Sequence, residues 1–155
     1  KSGCPVFGEK TMSEFKIKYD ILPPFFSLSH SGRYVLCAVS DQPVGADVQE
    51  LRAVNPSIAR RFHPDERAWL ERMPAAERQE AFFRLWTRKE AWVKAVSEDR
   101  MLTLSETDVI HGPVGLCFRE YTLEGGFFAA LCGADAVLPE DILIVSRPAL
   151  MAGTI

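Results

Sequence analysis

Two short runs rich in β-branched and aromatic residues, Phe25–Ser31 (FFSLSHS) and Tyr34–Ser40 (YVLCAVS), flank a Ser31-Gly32-Arg33 turn and read as adjacent strands. After a turn at Asp41-Gln42-Pro43, residues 44–51 (VGADVQEL) read as a third strand, carrying one acid, Asp47, among apolar neighbours. Upstream, Phe15, Ile17, Tyr19 and Ile21 alternate with polar residues as an edge strand does. Helical text begins at Asn55-Pro56-Ser57 and again at His63-Pro64-Asp65-Glu66, where proline suits the first helical position and acids the first turn. The strongest helical signal covers residues 75–98, in which Phe82, Leu85, Trp86, Val93 and Val96 recur at spacings of three and four and form one apolar stripe. The remainder alternates strand text with turns: residues 108–112 (DVIHG), 114–123, a Gly125-Gly126 turn, 127–134 and 142–146 (ILIVS). The predicted class is α+β. A faint internal echo, in which Cys37 precedes Asp47 by the interval that separates Cys132 from Ile142, points to a duplicated unit.

At 155 residues, 47% hydrophobic and 25% charged, the chain can bury one ordinary core, and average Gly and Pro usage argues against disorder. No stretch reaches the apolar length of a membrane span, so no membrane partner is expected. The formal charge of −3 is too near balance for a protein whose partner is chiefly nucleic acid, so any anion site must be local. Cys4, Cys37, Cys117 and Cys132 lack the paired spacing of a structural zinc site, and Cys37 and Cys132 sit in apolar runs where thiols behave as small buried hydrophobes. Reduced thiols fit a cytoplasmic protein. The first residue is Lys1, without Met or a signal segment before it, so the sequence reads as a cut piece.

Three positions carry candidate chemistry. An acid in a strand interior, such as Asp47, either solvates an edge or is buried, and burial requires a pair, hydrogen bonds or a metal. Glu90 and Lys94 stand four apart on one face of the long helix, with Phe83 and Thr87 along the same stripe. Such a pair is often only a surface contact of about 0.2 to 0.5 kcal/mol. Flanking Trp86, Arg88, Lys89 and Trp92 leave little room for a solvated face, however, so the helix is expected to be largely enclosed. Two carboxylates beside a lysine would place a cation site next to an anion site, as a magnesium-dependent phosphoryl-type reaction requires. His30 lies between Ser29 and Ser31, ahead of Gly32, where hydroxyls and backbone N–H groups can hold a phosphate; a structural hydrogen-bonding role is the alternative. His63 and His111 read as loop residues.

FSLSHSG (Phe26 to Gly32), VGADVQ (Val44 to Gln49) and LWTRKEAWVKA (Leu85 to Ala95) resemble, in order and spacing, the three sequence blocks of the Sfp-type 4′-phosphopantetheinyl transferases. The ARRFHPDE stretch before the long helix is also similar, and the resemblance runs from about Leu22 to Ser146. It implies an antiparallel sheet with one long packed helix per lobe, in two lobes about a pseudo-twofold axis. Residues 1–43 would be the tail of the first lobe and 44–155 the second, carrying the magnesium site. The implied reaction moves the 4′-phosphopantetheine arm of coenzyme A onto a serine of an apo acyl or peptidyl carrier protein, releasing adenosine 3′,5′-bisphosphate. On this resemblance Asp47, Gln49 and Glu90 bind Mg2+; Ser29, His30 and Ser31 contact coenzyme A phosphate. Lys94 binds the pyrophosphate and aids the leaving group, and Glu90 serves as base for the carrier serine.

Two positions depart from the family pattern. Gln49 stands where many members have Glu, giving a neutral and weaker oxygen ligand. Gly3 and Pro5 resemble a Gly-basic-Pro turn beside the nucleotide, but Cys4 replaces the basic residue. Much of the family's first lobe precedes that turn, so an incomplete lobe is expected to expose apolar surface or to force association. The alternative function is a non-catalytic module that binds coenzyme A or a carrier protein. A metal-dependent nuclease fares worse, because Glu90 and Lys94 are four apart on a helix and the chain has no basic surface. Arg60, Arg61, Phe62 and Trp69 offer chemistry complementary to an acidic carrier helix, with core packing the alternative for both aromatics.

Overall fold

The computed structural model describes residues 24–53, 56–96, 103–134, 138–151 and 153. Their order is β1 (Phe25–Ser31), β2 (Tyr34–Ser40), β3 (Val44–Glu50), a 3-10 helix (Pro56–Arg61), α1 (Pro64–Arg72), α2 (Arg78–Val96), β4 (Cys117–Leu123), β5 (Phe127–Gly133) and α3 (Arg147–Met151). The mixed α and β architecture with antiparallel sheets agrees with the expected class. The first three strands and the long helix fall where the sequence pattern puts them. The predicted edge strand at residues 15–21 lies outside the described residues, as do Gly3, Cys4 and Pro5.

Strands β1 and β2 pair antiparallel across Gly32, whose φ of 50° is easy only for glycine. A second antiparallel sheet has the order β3-β5-β4. Alternation along β3 gives it two different faces. Val44, Ala46 and Val48 pack with Leu36 of the hairpin, whereas Gly45 and Asp47 face α2. Glycine at position 45 is a packing requirement, since a Cβ there would lie 1.8 Å from the carbonyl oxygen of Ala91. The helix thereby approaches β3 closely, with Ala91 packed on Ala130 and Cys132 of β5. At its other end, Phe82, Phe83 and Leu85 join Phe62, Leu70, Val109 and Phe128 in the main core, where the Phe62 and Phe82 rings stack at 5.2 Å. Phe62 is therefore core, and Trp69 packs against the same cluster.

β1 also runs beside the edge of β3 that β5 leaves free, in the same direction, and joins it by side chains instead of a backbone ladder. The hydroxyls of Ser27, Ser29 and Ser31 accept the backbone N–H groups of Ala46, Val48 and Glu50 at 2.9, 3.2 and 3.0 Å. Every second residue of β1 thus satisfies an otherwise orphaned donor of β3. The intervening residues point away. Phe26, Leu28 and His30 of β1 and Val35, Cys37 and Val39 of β2 are all exposed, paired across the hairpin as Phe26↔Val39, Leu28↔Cys37 and His30↔Val35.

Several sequence expectations fail, for local reasons. Cys37 is exposed because the alternation of β2 turns it outward with Val35 and Val39, whereas Cys132 is buried. Residues 108–112 form a turn, since the Asp108 carboxylate accepts the backbone N–H groups of Ile110 and His111 and Gly112 takes a φ of 75°. Ile142–Ser146 is not a strand: Leu143 and Ile144 are exposed, and the run pairs with no strand among the described residues. The internal echo loses its second half there, because β3 has no counterpart at residues 142–146. The helical text at Asn55-Pro56-Ser57 becomes a single 3-10 element.

Candidate active site

β3 and α2 bring Asp47, Gln49, Glu90 and Lys94 together. Asp47 is 2% exposed, and both of its oxygens are engaged. Oδ1 accepts from Ser29 Oγ at 2.7 Å and from Lys94 Nζ at 2.7 Å; Oδ2 accepts from Gln49 Nε2 at 2.9 Å. Lys94 also donates to the carbonyl of Ala46 at 3.1 Å, which holds its ammonium over the β3 backbone. Glu90 lies one helical turn before Lys94 and is half-buried. Burial pushes its carboxyl above the ordinary glutamate range, the neighbouring charge of Asp47 pushes it further, and Lys94 partly opposes both. The charge of Asp47 disfavours ionisation of Glu90, and one lysine stands against the two carboxylates, so the site is short of positive charge.

That donor set fits a magnesium ion. It supplies hard oxygen ligands from Asp47 and Glu90 with the amide oxygen of Gln49 beside them, and no sulfur or imidazole. Here Gln49 turns its amide nitrogen to Asp47.

The other predicted residues are placed differently. Ser29 is buried behind Asp47, and Ser31 accepts from Glu50. His30 is exposed on the opposite side of β1, so it is not brought to Asp47. The fully buried pair of Glu66 and Lys89 is absent from the sequence expectations. Lys89 Nζ lies 2.6 Å from Glu66 Oε2 and donates to the carbonyls of Leu104 and Thr107 and to the Thr107 hydroxyl, above the Phe62 ring. Glu66 also accepts the N–H groups of His63 and Val109. The available signal was its position three residues after the helix cap, the spacing of a capping box, obscured because the cap is His63. A separate cluster, His63, Asp65 and Asp108, has ligand-type atoms within 4.8 Å of one another. Its groups already serve the protein itself: His63 Nδ1 accepts from Asp65 N, and Asp108 pairs with His111.

A groove of about 590 Å³ opens between the 3-10 helix, α1 and the start of α2, lined by Ala59, Leu70, Ala75 and Phe82 with Arg60 and Arg67. Arg78, also at this groove, is committed to the carbonyls of Leu70, Glu71 and Met73 at the end of α1. No helix among the described residues is long and apolar enough to cross a membrane.

Comparison with known proteins places these features in context. The 4′-phosphopantetheinyl transferase superfamily profile matches residues 43–137, a span that includes β3, α2 and β5. The 4′-phosphopantetheinyl transferase Sfp of Bacillus subtilis is 32% identical over 145 residues, covering 85% of this chain and 65% of that protein. The transferase psf-1 of Bacillus pumilus is 36% identical over 143 residues, 81% of this chain and 60% of the relative. HetI of Nostoc is 39% identical over 92 residues, 57% and 38% of the two chains. The chain thus spans less than two thirds of the length of these relatives. With Asp47, Glu90 and Lys94 assembled inside the matched span, the chain belongs to the 4′-phosphopantetheinyl transferase superfamily.

Proposed function

We propose that this chain carries the magnesium half of an enzyme that transfers the 4′-phosphopantetheine arm of coenzyme A to a serine of an apo carrier protein. The observation that supports it most is the Asp47–Lys94–Glu90 arrangement, a pair of acids beside an ammonium group. In the reaction the serine oxygen bonds to the phosphorus that bears the pantetheine, and the bond from that phosphorus to the bridging oxygen breaks. Adenosine 3′,5′-bisphosphate leaves with the bridging oxygen. Glu90 accepts the serine proton directly or through a water. Lys94 neutralises charge on the pyrophosphate as the leaving group departs. Asp47, Glu90 and the Gln49 amide oxygen would hold a Mg2+, which would supply further charge stabilisation to the pyrophosphate.

His30, free at the end of β1, is suited to a more distant phosphate of coenzyme A, together with Ser31 and the Gly3–Pro5 segment. The groove beside α1 suits the carrier protein: Arg60 and Arg67 rim an apolar floor, complementary to an acidic amphipathic helix. Phe82 in that floor and Glu90 are eight residues apart on one helix, about 12 Å along its axis. Residues 1–43 would belong to a first lobe and 44–155 to a second, which carries the metal site. Reduced, partly exposed thiols suit a cytoplasmic setting.

Intact-mass analysis of an apo carrier protein incubated with this chain, coenzyme A and Mg2+ tests the reading. The expected result is a gain of one phosphopantetheine arm per carrier. No gain from a folded chain that still binds coenzyme A or the carrier would make it a binding module instead.

A further inference from the structure

The three serines of β1 perform the same task for the backbone of β3, yet they are not equivalent. Ser27 and Ser31 accept from Ala46 and Glu50, and neither touches a site residue. Ser29 accepts from Val48 and, in addition, donates its proton to Asp47 Oδ1. A serine hydroxyl has one proton to give. Phosphate oxygens at neutral pH only accept, so the Ser29 side chain cannot serve a coenzyme A phosphate without releasing Asp47. Of the three donors on Asp47, Ser29 is also the one shut away from solvent: it is 8% exposed, whereas the Lys94 side chain is 30% exposed and Gln49 is half-buried.

We infer that Ser29 is a positioning residue for the Asp47 carboxylate and not a side-chain ligand of coenzyme A, because its single proton is held on Asp47 Oδ1 from the buried side of β3. The row of serines then has two functions on one strand. All three close the β3 edge, and the middle one fixes the rotamer of the acid on which metal binding depends. Lys94 and Gln49 hold Asp47 from the more open side, where an incoming cation can displace them, while the Ser29 contact lies behind the carboxylate and persists. This inference rests on the reading of Asp47 as a metal ligand.

Ser27 supplies an internal control. Ser27→Ala and Ser29→Ala each remove one acceptor from a β3 N–H group, so the thermal stability of Ser27→Ala reports the cost of that loss alone. Only Ser29→Ala also frees Asp47. Titration with Mn2+ as the probe, followed by electron paramagnetic resonance, should show Ser29→Ala binding about tenfold more weakly than wild type, as loss of a group that orients a metal ligand commonly does. Ser27→Ala should stay within about twofold, since it removes no contact to the ligand itself. Coenzyme A affinity measured without metal should be unchanged in both, and Ser29→Thr, which keeps the hydroxyl, should restore Mn2+ binding. If Ser29→Ala does not fold, Ser29→Cys keeps the volume with a weaker donor and should show the same shift in smaller measure. Unaltered Mn2+ binding in Ser29→Ala, equal losses in Ser27→Ala and Ser29→Ala, or a loss confined to coenzyme A would overturn this inference alone. Absence of Mn2+ binding by the wild-type chain would overturn the metal reading as well.

Discussion

Helix α2 presents two lysines to two carboxylates at nearly the same distance, 2.6 Å for Lys89 with Glu66 and 2.7 Å for Lys94 with Asp47. They are built for different ends. Around Lys89 every charge is answered: both side chains are 0% exposed, the ammonium has three further oxygen acceptors, and Glu66 receives two backbone N–H groups. Burial pulls the lysine below its ordinary pKa, and its bond to Glu66 opposes that shift. Around Lys94 the balance is deliberately incomplete. A second acid, Glu90, adds negative charge that one lysine cannot cancel, and the ammonium is partly open to solvent. A closed pair with matched charge ties elements together, here α1, α2 and residues 104–109; an open pair with surplus charge is poised to take a ligand.

If that contrast holds, the largest effect on stability belongs to the closed pair. Lys89→Met leaves the Glu66 carboxylate uncompensated in the core and should cost about 3–5 kcal/mol in denaturant unfolding. Adding Glu66→Gln should recover part of it, since the stranded charge is then removed. Lys94→Met should cost much less, because Asp47 keeps Ser29 and Gln49 as donors. Equal losses at the two lysines would erase the distinction between the pairs.

Activity should show the reverse order. Asp47→Ala and Glu90→Ala should each lower the transfer rate at least about a hundredfold, the scale on which groups that organise transition-state charge usually act. Far-UV circular dichroism should find the fold intact. Full activity in either variant would remove that residue from the metal site.

A milder change bears on the neutral side chain beside the open pair. Gln49 donates to Asp47 in this structure, holding the carboxylate as a lysine or an incoming cation would. Gln49→Glu replaces that donor by a third anion and should lower the Mg2+ concentration for half-maximal rate by about tenfold, as adding ligand charge tightens divalent sites. An unchanged or higher requirement would reject a metal role for the position.

The legible parts of this molecule were those where one residue pattern had one structural meaning. FFSLSHS and YVLCAVS alternate cleanly, and the apolar stripe of the long helix needs a sheet to cover it, which Gly45 and Ala91 show by their close approach. Asp47 stood out because an acid in an apolar strand demands partners. What escaped notice had two possible meanings. The serines of β1 looked like phosphate-binding hydroxyls, and nothing local to the strand revealed that β3 would run alongside with unpaired N–H groups. Glu66 read only as an acid of a first helical turn and Lys89 only as a residue flanking Glu90 and Lys94, since their pairing depends on residues 104–109 folding over them. Ile142–Ser146 was apolar enough for a strand, but a strand also requires a partner edge.

The smallest effect belongs to a third carboxylate–cation pair, exposed and in the loop that the closed pair holds. Asp108 and His111 interact side chain to side chain, with His63 and Asp65 close by. The hydrogen bond to Asp108 raises the His111 pKa above 6.5. Burial opposes ionisation of Asp108, but hydrogen bonds from His111 and Ile110 outweigh it and hold the carboxyl below 3.8. For the histidine, the stabilisation is complete below its unfolded pKa and is lost as pH rises through the raised folded value. For the aspartate, it is complete above its unfolded pKa and is lost as pH falls through the lowered folded value. Both contributions therefore coexist between 3.8 and 6.5. His111→Ala should reduce stability most at about pH 5 and hardly at all near about pH 9, where the imidazole is neutral in both states. Thermal melts of the variant and wild type across that range check the sign. A difference that grows toward alkaline pH would show that His111 contributes by packing or by a neutral hydrogen bond, not as the cation of a pair.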